Sequence, residues 1–248
     1  MNGSVIVTGG GRGIGAAVAR LAAERGMGVA VGYRSDAAAA QAVVASIAAA
    51  GGRGLAVRAD VAVEADVVGL FEQVDAALGP LAALVNCAGY TEPQARVEDM
   101  SAERLQRVFA TNVGGSFLCA REAIRRMSTR HGGSGGAIVN LSSVAARLGS
   151  PDEYVDYAAS KGAIDTFTIG LAKEVAREGI RVNAVRPGLI ETQFHATGGD
   201  PDRVGRLAAG IPLGRGGQPE EIARAVLWLL SDEASYTTGA LLDVGGGR

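Results

Sequence analysis

Ser4-Val5-Ile6-Val7-Thr8-Gly9-Gly10-Gly11-Arg12-Gly13-Ile14-Gly15 decides how the rest of the chain reads. Residues 4–7 form a short β-branched run bounded by glycine, the pattern of a buried strand. Residues 16–25 have helical composition, and Gly26 stops them. A glycine-rich turn between a first strand and a first helix suits a phosphate group. Backbone can approach closely there, and the helix N-terminus offers free N–H groups and the positive end of its dipole. The spacing, Gly9-x-x-x-Gly13-x-Gly15, differs from the G-x-G-x-x-G of many dinucleotide-binding domains. Because the turn begins at Gly9, no room is left for a signal or transit peptide, and the chain is expected to stay in the cytoplasm.

The same alternation continues to the end of the chain. Strands are expected over 29–33, 54–59, 81–86, 137–141, 180–185 and 240–244. Helices are expected over 36–50, 64–78, 101–129, 154–178 and 219–231. Strands that are apolar throughout and separated by helices imply a parallel sheet covered on both faces, hence a doubly wound α/β fold. No linker, repeat or composition shift divides the chain, so residues 1–248 read as one domain. Residues 189–217 are rich in glycine and proline and too long for a simple connection, which points to a substrate loop or lid.

Composition removes several classes of function. The chain has 248 residues, 48% hydrophobic and 20% charged, with a net charge of −2. That balance lacks the basic excess of a nucleic-acid binder and the Lys/Arg runs that grip an anionic membrane. No apolar stretch approaches the roughly 20 residues of a membrane span. Two cysteines, Cys87 and Cys119, are too few for a disulfide framework or a Cys-rich zinc site, and both read as buried. Two histidines, His131 and His195, exclude a multi-histidine metal centre. Only two lysines occur, Lys161 and Lys173, so a lysine in a chemically meaningful position carries weight.

In an open parallel sheet, ligands bind beyond the carboxyl ends of the strands. After the second strand come Arg34 and Ser35, with no carboxylate before Asp36. An acid there would hold the ribose 2′-hydroxyl of NAD, whereas an arginine suits the 2′-phosphate of NADP. Arg12 adds a second guanidinium, so NADP(H) is preferred, with NAD possible. Asp60 and Val61 follow the third strand, placed to meet an adenine ring. Asn86, Cys87, Ala88 and Gly89 follow the fourth, small enough for backbone to crowd a cofactor. Ser142 and Ser143 follow the fifth, and Tyr157 and Lys161 share one face of the next helix at i and i+4. An ammonium about 4 Å from the phenol would contribute roughly 4 kcal/mol at an effective dielectric of about 20, or about three pKa units. That would bring Tyr157 toward the range useful for proton transfer. Tyr154 has Ala158 at i+4 and reads as a decoy.

Thr8-Gly-Gly-Gly-Arg-Gly-Ile-Gly15, Asn86-Cys-Ala-Gly89, Asn112, Ser143, Tyr157-x-x-x-Lys161 and Pro187-Gly188 together resemble the short-chain dehydrogenase/reductase family, in order and over nearly the whole chain. Within the family the likeness is to glucose or sugar dehydrogenases and to 3-oxoacyl reductases. The resemblance implies a Rossmann-type domain with a seven-stranded parallel sheet, a nicotinamide cofactor and a homotetramer built through the two long helices and the C-terminal segment. It makes Tyr157 the general acid/base, Ser143 a hydrogen-bond donor to the substrate carbonyl, and Lys161 the group that holds the ribose and lowers the tyrosine pKa. Asn112 would anchor a proton-relay water. Gly9, Arg12, Gly13, Ile14, Gly15, Asn86, Ala88 and Gly89 would line the dinucleotide, and Pro187, Gly188, Ile190 and Thr192 the nicotinamide carboxamide. The expected activity is interconversion of a small-molecule ketone or aldehyde and its alcohol.

Two alternatives remain at this point. One is a 3-oxoacyl-thioester reductase acting on an acyl carrier protein. Glu178 disfavours it, because carrier-protein reductases of the family often have a basic residue there. The other is a non-catalytic dinucleotide-binding redox sensor, disfavoured by the presence of the whole Ser/Tyr/Lys/Asn set. Asp152, Glu153 and Asp156 near the mouth of the site are candidates to receive sugar hydroxyls, or simply a solvated helix N-terminus.

Overall fold

A computed structural model describes residues 3–248; Met1 and Asn2, the start of the expected domain, lie outside it. Its strands are β1 (Ser4–Thr8), β2 (Gly28–Tyr33), β3 (Arg53–Arg58), β4 (Leu81–Asn86), β5 (Gly136–Leu141), β6 (Ile180–Pro187) and β7 (Leu241–Val244). All pair in parallel in one seven-stranded sheet, in the order β3-β2-β1-β4-β5-β6-β7. The helices are α1 (Gly13–Glu24), α2 (Ala37–Ala49), α3 (Glu64–Leu78), α4 (Ala102–Phe109), α5 (Gly115–Met127), α6 (Ala145–Leu148), α7 (Val155–Val175), α8 (Phe194–Thr197), α9 (Arg203–Leu207) and α10 (Pro219–Leu230). This is the expected Rossmann-type doubly wound fold.

The central strands are apolar along most of their length because both faces are covered. Along β1, successive side chains alternate between faces. Val5 and Val7 pack with residues of α1, α2 and α10 such as Val18, Val43 and Val226. Ile6 packs on the other side with Phe71 of α3, Met127 of α5 and Leu171 of α7. Each layer is a continuous cluster of fully buried aliphatic groups, and that burial is the main stabilising term.

Strand order reverses between β1 and β4, which opens a crevice at the carboxyl edge of the sheet. A buried amide chain fixes the elements around it. Asn86 Nδ2 donates to Asn140 Oδ1 at 2.9 Å, and Asn140 Nδ2 donates to Thr168 Oγ1 at 2.9 Å, tying β4 to β5 and β5 to α7.

One expectation is corrected here. The helix expected over 101–129 is not continuous: a π-helical turn, Ala110–Gly114, separates α4 from α5. Residues 189–217, expected as a substrate loop or lid, carry α8 and α9, and Ile190 and Gly217 form a parallel bridge at their base.

Candidate active site

The crevice is a cavity of about 370 Å³ whose lining begins at the glycine turn. Close packing explains the turn's composition. A Cβ on Gly15 would stand 2.3 Å from the Gly9 carbonyl oxygen, and one on Gly9, which has a left-handed φ of 66°, would stand 2.9 Å from Ala88 Cα. Arg12 at the start of α1 makes no side-chain cap bond, and the first turn of α1 holds no acid. The helix therefore presents uncapped amides and its positive end at a cavity wall formed by Arg12, Gly13 and Ile14. That arrangement fits a dinucleotide's phosphates. The Thr8 hydroxyl oxygen accepts from the amides of Cys87 and Ala88 at 3.1 and 3.0 Å, which holds the end of β4 against the turn.

The cavity lining also takes in Arg34, Ser35, Asp60 and Val61, which follow β2 and β3. The Arg34 guanidinium lies 5.5 Å from the Tyr90 ring centroid. Asp36, the first carboxylate after β2, accepts from the Ala39 amide at 3.0 Å and caps α2. Asp60 is likewise engaged, accepting from the Ala62 amide at 3.0 Å. Ala88, Gly89, Pro187, Gly188, Ile190 and Thr192 line the cavity further along.

Ser143, Tyr157 and Lys161 meet at its floor. The two serines have different partners. Ser142 is buried and donates to the Lys161 carbonyl at 3.2 Å, whereas Ser143 is half-buried, accepts from the Ala145 amide at 3.1 Å and stands beside the Tyr157 phenol. Lys161 Nζ donates to the Leu141 carbonyl at 2.6 Å and lies 5.6 Å from the Tyr157 ring centroid.

This geometry corrects the expected electrostatics. The ammonium is directed at the end of β5 rather than at the phenol oxygen. Burial pushes the Tyr157 phenol up to about 12, with Ser143 opposing and Cys87 adding to the rise. Burial lowers Lys161 to about 8, opposed by Cys87 and Asp165. In the free protein, desolvation outweighs the attraction of the pair.

Asn86, expected to line the dinucleotide, and Asn112, expected to anchor a proton-relay water, lie behind the wall. Asn86 is buried in the amide chain between β4 and β5. Asn112 is also buried: its Nδ2 donates to the Tyr90 carbonyl and to Ser160 Oγ, both at 2.9 Å, and its Oδ1 accepts from the Tyr90 amide at 2.7 Å. It sits in the π-turn, where the extra residue per turn lets the chain bring an amide side chain to Tyr90.

The acids offered for sugar hydroxyls are already spoken for. Asp156 is buried in a two-pronged pair with Arg104, at 2.7 and 3.2 Å. Glu153 pairs with Arg203, whose guanidinium holds the carboxyl below its usual range. Asp152 meets Arg96 at 2.8 Å on the surface. Glu178 does not present a free negative charge either: it accepts from Ser128 and pairs with Arg130 at 3.0 Å. Its expected repulsion of an acidic carrier therefore loses its basis.

Four further residues of the lining, three of them within the loop expected over 189–217, were not singled out by the sequence. Tyr154, which has no lysine partner at i+4, is a wall residue whose hydroxyl donates to the Gly198 carbonyl at 2.9 Å. Phe194, His195 and Arg203 reach the cavity from α8 and α9. The glycine- and proline-rich composition of 189–217 marks the segment, but no local spacing singles out these side chains, because each packs against a segment remote in sequence.

Among the described residues, no group of three or more His, Cys, Asp or Glu side chains is placed to hold a metal ion, and no helix is long and apolar enough to cross a membrane. Comparison with known proteins agrees with the geometry. The family profile described as enoyl-(acyl carrier protein) reductase matches residues 9–248. The uncharacterized oxidoreductase YgfF of Escherichia coli is 58% identical, covering 98% of each chain. Glucose 1-dehydrogenase 2 of Bacillus subtilis is 38% identical, over 98% of this chain and 93% of its own. A short-chain type dehydrogenase/reductase from Mycobacterium marinum superposes with a TM-score of 0.92 at 37% identity, covering 99% of this chain and 94% of that one. With its glycine turn, its Ser143–Tyr157–Lys161 floor and full-length relatives on this scale, the chain belongs to the short-chain dehydrogenase/reductase family of oxidoreductases.

Proposed function

We propose that this oxidoreductase prefers NADP(H) and interconverts a ketone or aldehyde and its alcohol, with Tyr157 as the proton-transfer group. The family uses nicotinamide dinucleotides, and such a cofactor supplies the hydride when bound in the crevice. The carrying observation is the meeting of a phenol, a hydroxyl and an ammonium at the floor of one cavity that runs back to an uncapped helix N-terminus. Ser143 would donate a hydrogen bond to the carbonyl oxygen and orient it. Tyr157, protonated at neutral pH, would donate the proton that turns that oxygen into a hydroxyl. Lys161 would hold ribose hydroxyls, and Asn112 would keep the Tyr90 backbone and Ser160 in place behind them.

Tyr157→Phe tests this reading. Turnover is expected to fall by about 100-fold or more, while NADPH still quenches protein fluorescence on binding. Near-normal turnover in that variant would remove Tyr157 from the chemistry.

Cofactor choice rests on Arg34 and Arg12, together with the use of Asp36 as a helix cap. Arg34→Ala is expected to raise the KM for NADPH about tenfold, roughly one charge-assisted contact, with little effect on NADH. Equal losses with both cofactors would argue against a 2′-phosphate site.

Residues 189–217 are proposed as a lid on the single domain, and a homotetramer as the working assembly. Exposed Leu105, Phe109, Phe117 and Ile169 on α4, α5 and α7 support the assembly, and sedimentation at micromolar concentration measures it. A 3-oxoacyl thioester remains the second substrate class, since the pairing of Glu178 with Arg130 removes the charge repulsion argued against it; assay with an acetoacetyl thioester separates it from simple ketones.

A further inference from the structure

The two ends of the cavity differ in chemistry. Toward the glycine turn it offers backbone amides and the guanidinium groups of Arg12 and Arg34. Beyond Tyr157 it is walled by Val144, Leu148, Leu189 and the rings of Tyr154 and Phe194. Phe194 stands over the floor, its ring centroid 5.7 Å from that of Tyr157.

The polar side chains on this stretch are largely committed to the protein itself. Tyr154 donates its hydroxyl to the Gly198 carbonyl at 2.9 Å. His195 Nε2 lies 3.1 Å from the Ile190 carbonyl, and burial holds the imidazole below its usual pKa, so the ring is neutral near pH 7. Arg203 pairs with Glu153 and lies 5.0 Å from the Tyr154 ring centroid. Thr91 donates to the Glu92 carbonyl at 3.4 Å. Glu92 in turn accepts from Tyr90 and Arg107, at 2.9 and 2.8 Å. Gln193 is exposed, and Ser150 and Arg248 are half-buried.

A polyol carries a hydroxyl on nearly every carbon, and each must find a new partner when it leaves water. This wall has few to give. A ring or short hydrocarbon body, by contrast, gains from contact with aromatic faces and aliphatic groups. Resting on the carbonyl-reductase reading above, we propose that the substrate is an apolar ketone with an alicyclic or aryl body, seated between Phe194 and Tyr154, and that Phe194 selects it over hydroxylated substrates.

The experiment uses the full chain with NADPH against 4-methylcyclohexanone and acetophenone. The corresponding alcohols are then compared with D-glucose and ribitol in the oxidative direction with NADP. The apolar alcohols are expected to exceed the polyols in kcat/KM by about 100-fold or more. Phe194→Ala should raise the KM for acetophenone about tenfold without altering NADPH binding, and Phe194→Leu should restore most of the loss. Phe194 belongs to none of the buried core clusters, so the truncation leaves the fold in place. Polyols turned over as well as the apolar alcohols, or an unchanged KM in Phe194→Ala, would overturn the inference while leaving the carbonyl-reductase reading intact. If NADPH binds but no carbonyl compound is reduced, that reading falls and this one with it.

Discussion

At the scale of single residues, the site is governed by how much water each group has lost. Tyr157 and Lys161 share a helix face, and that much follows from their spacing. Their protonation states do not, because Lys161 spends its hydrogen bond on the Leu141 carbonyl at the end of β5. With the phenol pushed to about 12, Tyr157 stays protonated across the neutral range, the form the proposed proton transfer to a carbonyl requires. Donation to a carbonyl uses the abundant form, whereas accepting a proton from an alcohol needs the rare phenolate. The expected outcome is asymmetric. Between pH 6 and 8, kcat/KM for alcohol oxidation should climb by up to about tenfold per pH unit, as for titration of one base. Carbonyl reduction should change far less, since Lys161, at about 8, also keeps its proton through most of this window. Parallel initial-rate profiles in the two directions measure this, and a flat oxidation profile would speak against Tyr157 as the base.

At the scale of elements, charged pairs decide which segments frame the cavity. Arg104 on α4 grips Asp156 in the first turn of α7 and also donates to the Pro93 carbonyl at 2.6 Å. One guanidinium therefore fastens three segments, and the side chains of Arg104 and Asp156 are only 9% and 1% exposed. Removing one member leaves the other charge buried without a partner, at a cost of about 3–5 kcal/mol. Arg104→Met should lower stability by that amount in chemical denaturation. It should also raise KM through the displaced start of α7, with a smaller effect on NADPH affinity. The π-turn belongs to the same scale. Apolar periodicity continues through residues 101–129, so a helix is legible there but its change of pitch is not. The change is held by Asn112 pairing with Tyr90 and Ser160, and those contacts exist only after β4 and α7 have come together.

At the scale of the whole molecule, two clusters on opposite faces of one parallel sheet supply the stability, and two thiols touch them. Burial pushes Cys119 up to about 12 and Cys87 to about 11, against an ordinary 9.0. Above about pH 9 the unfolded chain releases these protons while the folded chain keeps them, so rising pH favours unfolding. Tyr157 acts in the same direction above 10. Lys161 opposes them between about 8 and 10.5, because there the unfolded chain holds a proton the folded one has lost. Two thiols and a phenol outweigh one amine, so Tm of the cofactor-free protein should fall steadily above about pH 10. Cys119→Ala should make that fall shallower, which thermal scans across pH will read. The sequence by itself determined the strand–helix alternation, the phosphate turn and the Ser143, Tyr157 and Lys161 set, because those rest on residue type and short spacing. Only the tertiary structure decided that Asn86 and Asn112 are buried in bracing hydrogen bonds, that the carboxylates near the cavity mouth are paired, and that Tyr154 and Phe194 stand in its wall. Those outcomes depend on partners tens of residues away and on water excluded by packing, and neither quantity is written in local spacing.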